Sequence, residues 1–322
     1  ALAPHFGTYT LYNVDDLDVL IVATRGPVPG VPDDRLLSSP LLRSELQRVG
    51  IRSAADFQSR KIGDNRTLGP VLEAFPVPAN SDFYPFVDLH AARSRYLNEN
   101  AKELPALTLL PIPFLELVGE SEPRAATAEP SPSSAVLRDS LVLRALDIRQ
   151  ALKTGSLDGL NPASARYLWL VGTPQAACAA PPAQAAWADA VRNLSDQTAP
   201  YLNSAELEPL WRSILSSPCY REVGVTEAAW VDLFAAIAHR SAPDIVRLGT
   251  GLLAPGVARS DDDVAYLTTV TAGALVNLGR YAEAHALLQD QRSRFDHAGP
   301  FEFALRDLRA LTERSPPVGK PL

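Results

Sequence analysis

The chain has 322 residues, 46% hydrophobic and 21% charged, which excludes a wholly disordered polypeptide and suffices for about two domains. A net charge of −7 repels a phosphate backbone unless a basic stripe exists, and none occurs: Arg138, Arg144 and Arg149 are interrupted by Asp139 and Asp147 and read as a solvated helix face. No methionine occurs, not even at position 1, and 28 prolines stand where an average content of ~5% would give about 16, so the sequence reads as the trailing piece of something longer.

Residues 6 to 24, FGTYTLYNVDDLDVLIVAT, hold two β-branched and aromatic runs around a turn-like NVDDLD, which predicts a β-hairpin. Val19 to Ala23 is continuously apolar and is expected to be a strand covered on both faces, with its sheet partners elsewhere. A helix is predicted from about Asp33 to Val49, with Leu36, Leu37, Leu41 and Leu46 on its apolar side and Gly50 at its end. A shorter one follows from Ser53 to about Arg60. Residues 76 to 97, PVPANSDFYPFVDLHAARSRYL, predict an ordered, extended loop that turns helical near Ala91.

The longest apolar stretch, Ala106 to Gly119, contains Pro111 and Pro113 and falls short of the ~20 residues of a spanning helix, so no membrane crossing and no membrane contact is expected. No basic-then-apolar leader opens the chain. Glu120 to Ser134, ESEPRAATAEPSPSS, is the strongest linker candidate.

Alanine-rich helices follow. Thr226 is placed to cap a helix with Trp230, Leu233, Phe234 and Ile237 in one buried stripe. Ser260 and Asp263 have capping-box spacing before an apolar run that ends at Gly279. The next helix, about Ala282 to Phe295, turns Ala284, Leu287 and Leu288 inward, and a last one carries Phe301, Leu305, Leu308 and Leu311. Within this region ALVNLGRYAEAHALL, Ala274 to Leu288, resembles the centre of a tetratricopeptide-type repeat, with Ala228 to Leu253 as a degenerate copy lacking the Gly-x-Tyr turn.

The search for chemistry is mostly negative: no dinucleotide glycine fingerprint, P-loop, serine elbow or zinc-protease motif occurs. Gly249-Thr-Gly251 lies in a helical pattern and reads as close packing. Asp82, Asp88 and His90 could form an acid/base group, although side-chain to backbone bonding that orders the loop is the preferred reading. Asp15, Asp16 and Asp18 read as a solvated turn, and Asp261 to Asp263 as a helix N-terminus. No metal site is expected. Cys178 and Cys219 permit one disulfide, but two buried, reduced thiols in the cytoplasm is the expected state.

The hairpin, the helix stop at Gly50-Ile51, SAADF at Ser53 to Phe57 and ANSDFYPFVDLHAARSRYL at Ala79 to Leu97 together resemble the C-terminal part of spermidine synthase-like proteins, most closely the large bacterial forms with a preceding membrane-spanning region. In that family a methyltransferase-type Rossmann sheet ends in an antiparallel hairpin followed by an N-x-D-x-x-P segment. Asn80, Asp82 and Pro85 match that segment, and Tyr84 and Asp88 sit where relatives carry similar residues. The resemblance implies aminopropyl transfer from decarboxylated S-adenosylmethionine, as co-substrate, to a diamine. The glycine-rich turn and the acidic residues of that chemistry have no counterpart here, so no catalytic residue is carried over, and the five matched residues are expected only to order a loop.

The expected fold class is therefore mainly α with a small β portion: a hairpin remnant of a methyltransferase-type Rossmann domain in residues 1–119, a linker over 120–134, a tetratricopeptide-like helical bundle over 135–314 and a tail over 315–322. The expected partners are a missing N-terminal part of the same polypeptide and a peptide or protein on the helical domain, with no nucleic acid. The expected location is cytoplasmic, as the soluble part of an inner-membrane protein. The alternative function is a non-catalytic helical interaction module.

Overall fold

In the computed structural model, the residues described are 5–14, 19–26, 39–48, 51, 57–58, 60–74, 96, 103–119, 137–172, 178, 180–257, 260–293 and 299–314. The chain over these residues is mainly helical, with three short strands. The loop candidates Asn80, Asp82, Tyr84, Pro85, Asp88 and His90, the acidic turn Asp15 to Asp18, the linker 120–134 and the tail 315–322 lie outside them.

The predicted hairpin forms. β1 (Thr8–Asn13) pairs antiparallel with β2 (Val19–Thr24), with Tyr9 opposite Ala23 and Leu11 opposite Ile21. A third strand, β3 (Lys61–Asp64), pairs antiparallel with the other side of β1, giving the order β2-β1-β3. The covered strand is thus β1, whose Tyr9, Leu11 and Tyr12 are buried, and the expectation for Val19 to Ala23 is overturned. β2 is an edge strand, with Leu20 43% and Ile21 47% exposed. Its apolar run is covered only in part: Val19 and Ala23 pack against the core, while Leu20 and Ile21 stay exposed.

α1 (Pro40–Arg48) contains no buried residue: of the expected apolar side Leu41 is 87% exposed and Leu46 only half-buried, while Leu36 and Leu37 lie outside the described residues. The helix expected to reach Arg60 ends before it, since Arg60 is a turn residue that leads into β3. Arg60 donates to Val14 O at 2.9 Å and its own carbonyl accepts from Asn13 N at 2.8 Å, which ties the two strands together. α2 (Gly69–Ala74), α3 (Glu103–Ala106) and α4 (Phe114–Leu117) follow. The prolines of residues 106–119 break the apolar stretch into short turns, and Leu107, Leu110, Ile112, Phe114, Leu117 and Val118 are all buried. Among the described residues no helix is long and apolar enough to cross a membrane.

The C-terminal helices are α5 (Leu137–Thr154), α6 (Pro162–Gly172), α7 (Pro181–Thr198), α8 (Ser204–Ser216), α9 (Pro218–Glu222), α10 (Val225–Ala238), α11 (Ala242–Leu253), α12 (Asp261–Asn277), α13 (Tyr281–Asp290) and α14 (Glu302–Arg314). Their starts follow local chemistry. Proline opens α6, α7 and α9, where its missing donor is harmless. Asn203 and Glu206 form a reciprocal capping box on α8 (3.0 and 3.1 Å), and Ser260 and Asp263 form the predicted one on α12. α10 starts two residues earlier than expected: Gly224, not Thr226, is its N-cap. Arg149 is not on a solvated face either, since it is largely buried in an ion pair with Glu206 at 2.5 Å.

Neighbours from α10 to α14 pack in sequence order, α7 lies across α5, α6 and α10, and α12 runs through the centre with Val264 to Val276 buried throughout. α14 also seats against α2 and α3, and α12 against α4, where Leu117 Cβ leaves no ordinary room for a side chain at Gly273. The described residues of β1, 60–74 and 103–119 therefore share one continuous apolar core with the C-terminal helices.

Two helix pairs end in the same turn. After α12, Gly279 has φ +71°, Gly279 N donates to Val276 O and Arg280 N to Leu275 O (2.9 and 2.8 Å), which is a Schellman cap. After α10, Arg240 takes the glycine place at φ +55°, with Arg240 N to Ile237 O and Ser241 N to Ala236 O (3.1 and 2.9 Å). Its guanidinium donates to the carbonyls of Ala199, Leu202 and Ile237 (2.9, 3.1 and 2.9 Å), which holds the strained turn to the α7–α8 connection.

Candidate functional site

A polar cluster lies where α7, α10 and the N-terminus of α12 meet. Arg192 and Asp196 stand one turn apart on α7, so they share a face. Capping of α12 brings Asp263 to Ser260, with the serine hydroxyl donating to Asp263 at 2.8 Å, and the same carboxylate accepts from Arg192 at 2.8 Å. The Arg192 guanidinium lies 5.3 Å from the Trp230 ring centroid and 6.0 Å from that of Tyr266, within cation–π range. Tyr266 in turn meets Phe234 and Phe301 edge-on at 6.0 and 5.8 Å. A cation is thus held between an acidic helix start and an aromatic wall.

The electrostatics follow from burial. Burial works against the charge on Arg192, but the hydrogen bond and charge of Asp263 outweigh it and raise its pKa. Burial also opposes ionisation of Asp263, yet the bonds from Arg192 and Ser260 hold its carboxyl below the usual range. Asp196 has no such bonds. Burial, only partly offset by Arg192, pushes it up to about 7, and one of its oxygens and the Tyr266 hydroxyl are buried without a hydrogen-bond partner. A carboxyl poised near neutrality is a common mark of an acid/base site.

The surrounding space argues against that use. A cavity of about 200 Å³ opens beside the cluster, lined by Ala188, Asp189, Arg192, Glu227, Trp230 and Phe234. Asp196 does not line it, so the one carboxyl with a suitable pKa does not meet what enters. The volume is also below the roughly 300–1,000 Å³ usual for small-molecule and cofactor sites. A second cavity of about 240 Å³, between α2 and α14, is lined by Val71, Ala74, Arg306, Arg309, Ala310 and Glu313. Both arginines there are engaged along their own helix, Arg306 with Glu302 and Arg309 with Glu313. Asp307 is fully buried on α14 with neither oxygen hydrogen-bonded, and desolvation pushes its carboxyl pKa well up.

The glycine pair of α11, two histidines and the two cysteines have local roles. Gly249 brings α11 against Thr271 of α12, as expected of close packing, while Gly251 has nothing near it. His239 caps the end of α10 with Nδ1 3.7 Å from Glu208, and His285 Nδ1 lies 3.4 Å from Thr312 Oγ1. Among the described residues no group of three His, Cys, Asp or Glu converges as a metal site would. Cys178 and Cys219 are buried as expected but are not free thiols: they form a disulfide, with Cα atoms 5.2 Å apart, across 41 residues. The sequence spacing alone could not decide this, since their approach depends on how α7, α8 and α9 fold between them.

The Arg192 cluster was not assembled from sequence. Asp263 is the expected cap, Trp230 is only half-buried where a buried stripe was expected, and the bond that joins α7 to α12 spans 71 residues and leaves no local signal. Comparison of the chain with protein-family models, with curated proteins and with solved structures finds no match.

Proposed function

We propose that this chain is a supporting part of a spermidine synthase-like protein, in which residues 5–26 close a larger methyltransferase-type sheet, and that it does not itself carry out aminopropyl transfer. The open edge of β2 carries this reading. Leu20 and Ile21 are successive residues, so their side chains point to opposite faces of the sheet, and both are exposed. Among the described residues β2 therefore lacks a neighbouring strand on one side and is incompletely covered on both faces, although Val19 and Ala23 pack partly against the core. Native sheets rarely leave such an edge unguarded. In a doubly wound sheet those are the three places that the adjoining strand and its two helix layers occupy. Leu41 and Leu42 on α1 are exposed as well. Decarboxylated S-adenosylmethionine and the diamine would then bind on an added segment.

The test uses amide hydrogen exchange and calorimetry. Alone, the 322-residue chain should exchange rapidly at alternate amides of β2 and release no heat with a decarboxylated S-adenosylmethionine analogue or putrescine. With the upstream polypeptide present, those amides should become protected and the analogue should bind. Protection of every β2 amide in the chain alone, or nucleoside binding by it, overturns the reading.

The paired turns favour a second reading for the helical part. The α10–α11 and α12–α13 pairs end in the same left-handed cap, at Arg240 and Gly279, which supports two tetratricopeptide-like units and a peptide or protein partner. Peptide-array binding that survives removal of residues 1–26 would support it; no binding to any peptide would count against it.

A further inference from the structure

From the disulfide, and independently of the aminopropyl reading, we infer that Cys178 and Cys219 are a site of oxidative maturation and that the helical part of this chain folds in an oxidising compartment, outside the reducing cytoplasm. They are the only two cysteines in 322 residues. Their Cα separation of 5.2 Å falls inside the roughly 4.4–6.8 Å that a disulfide requires. Both are built into place. Gln184 Nε2 donates to Cys178 O at 3.0 Å just before α7, and Cys219 N donates to Ser217 Oγ at 3.2 Å in the cap of α9. The two residues are 4% and 1% exposed, and no third metal-ligating side chain converges on them among the described residues. A bridge so placed closes 41 residues containing α7 and α8, and persistent structural bridges belong to oxidising compartments.

The composition adds a separate observation. The chain has no methionine at all, and its two thiols are consumed in the bridge, so it offers no free thiol and no thioether to an oxidant. Such a chain suits an environment in which free sulfur is oxidised.

The step balances as thiol–disulfide exchange. One cysteine thiolate attacks the disulfide of an oxidant of the oxidoreductase class, forming a mixed disulfide and releasing the oxidant's first thiolate. The second cysteine then attacks its partner's sulfur and displaces the other, so two electrons and two protons leave with the oxidant as a dithiol. Burial of both cysteines in the folded chain requires the exchange to occur before α9 docks on α7.

The test is alkylation of the full chain in the cells that make it. After acid quenching and denaturation, a thiol-reactive polyethylene glycol maleimide should add nothing without reductant and two groups after reduction. Two groups added without reductant overturn the inference. Protease added to spheroplasts should digest the oxidised helical part, whereas an oxidised but protected chain places it in the cytoplasm and also overturns the inference. A purified C178A/C219A variant should melt roughly 10 °C below the oxidised chain; equal melting temperatures would refute a structural bridge.

Discussion

Asp196 gives the sharpest quantitative test. Its carboxyl is pushed from 3.8 to about 7 by burial beside Arg192. Because the folded state holds this proton where the unfolded chain has lost it, the group's contribution is fully present below about pH 4 and is lost as the pH rises through 7. At about 1.36 kcal/mol per pH unit, the loss amounts to about 4 kcal/mol. Asp196→Asn keeps the shape and removes the ionisation. The variant should match the parent near pH 4 and exceed it by up to about 4 kcal/mol at pH 8.5, measured by urea denaturation across that range. Asp307 titrates in the same direction, but it is present in both proteins and cancels in the difference. A gap between the two profiles that is constant with pH would refute the assignment, because it would mean that the substitution alters packing and not a proton.

Further substitutions probe the turns and the helix crossing. Arg240→Ala should destabilise by about 3 kcal/mol in urea unfolding, because it removes charged donors to three carbonyls and keeps the left-handed strain; Arg240→Gly should be milder by about 1 kcal/mol, and the reverse order would refute the strain argument. Gly249→Ala places a Cβ 2.1 Å from Thr271 Oγ1 and should lose about 1–3 kcal/mol by the same assay. Adding Thr271→Ala should recover most of that loss, and simple additivity of the two changes would show that the contact is not the cause.

The signals that succeeded were those written within one or two helical turns. The Ser260–Asp263 box, the stop at Gly279, and the buried places of Leu233, Phe234, Ile237, Leu305 and Leu308 follow from spacing alone. The misses have two physical origins. β3, KIGD, carries residues that strands disfavour and exists because β1 supplies its ladder, so no local pattern announces it. Conversely, the continuous apolar run of β2 was a true statement about what that strand needs, not about what this chain provides. The second helix pair, expected as a degenerate copy without the glycine turn, is present as two helices. Its left-handed turn is made by Arg240 and stabilised by carbonyls about 40 residues away in sequence, so a search for glycine passes over it. The Arg192 cluster and the disulfide depend in the same way on which helices come to lie side by side.

The exposed edge of β2 also bears on how the purified chain would behave in a tube. A strand with one unfilled ladder can pair with the same strand of another copy, antiparallel about a two-fold axis, at the cost of nothing but concentration. Dimers or fibrous aggregates that grow with protein concentration would then be symptoms of an unsatisfied sheet, and their dispersal by a short peptide of alternating β-branched residues would separate them from a physiological assembly.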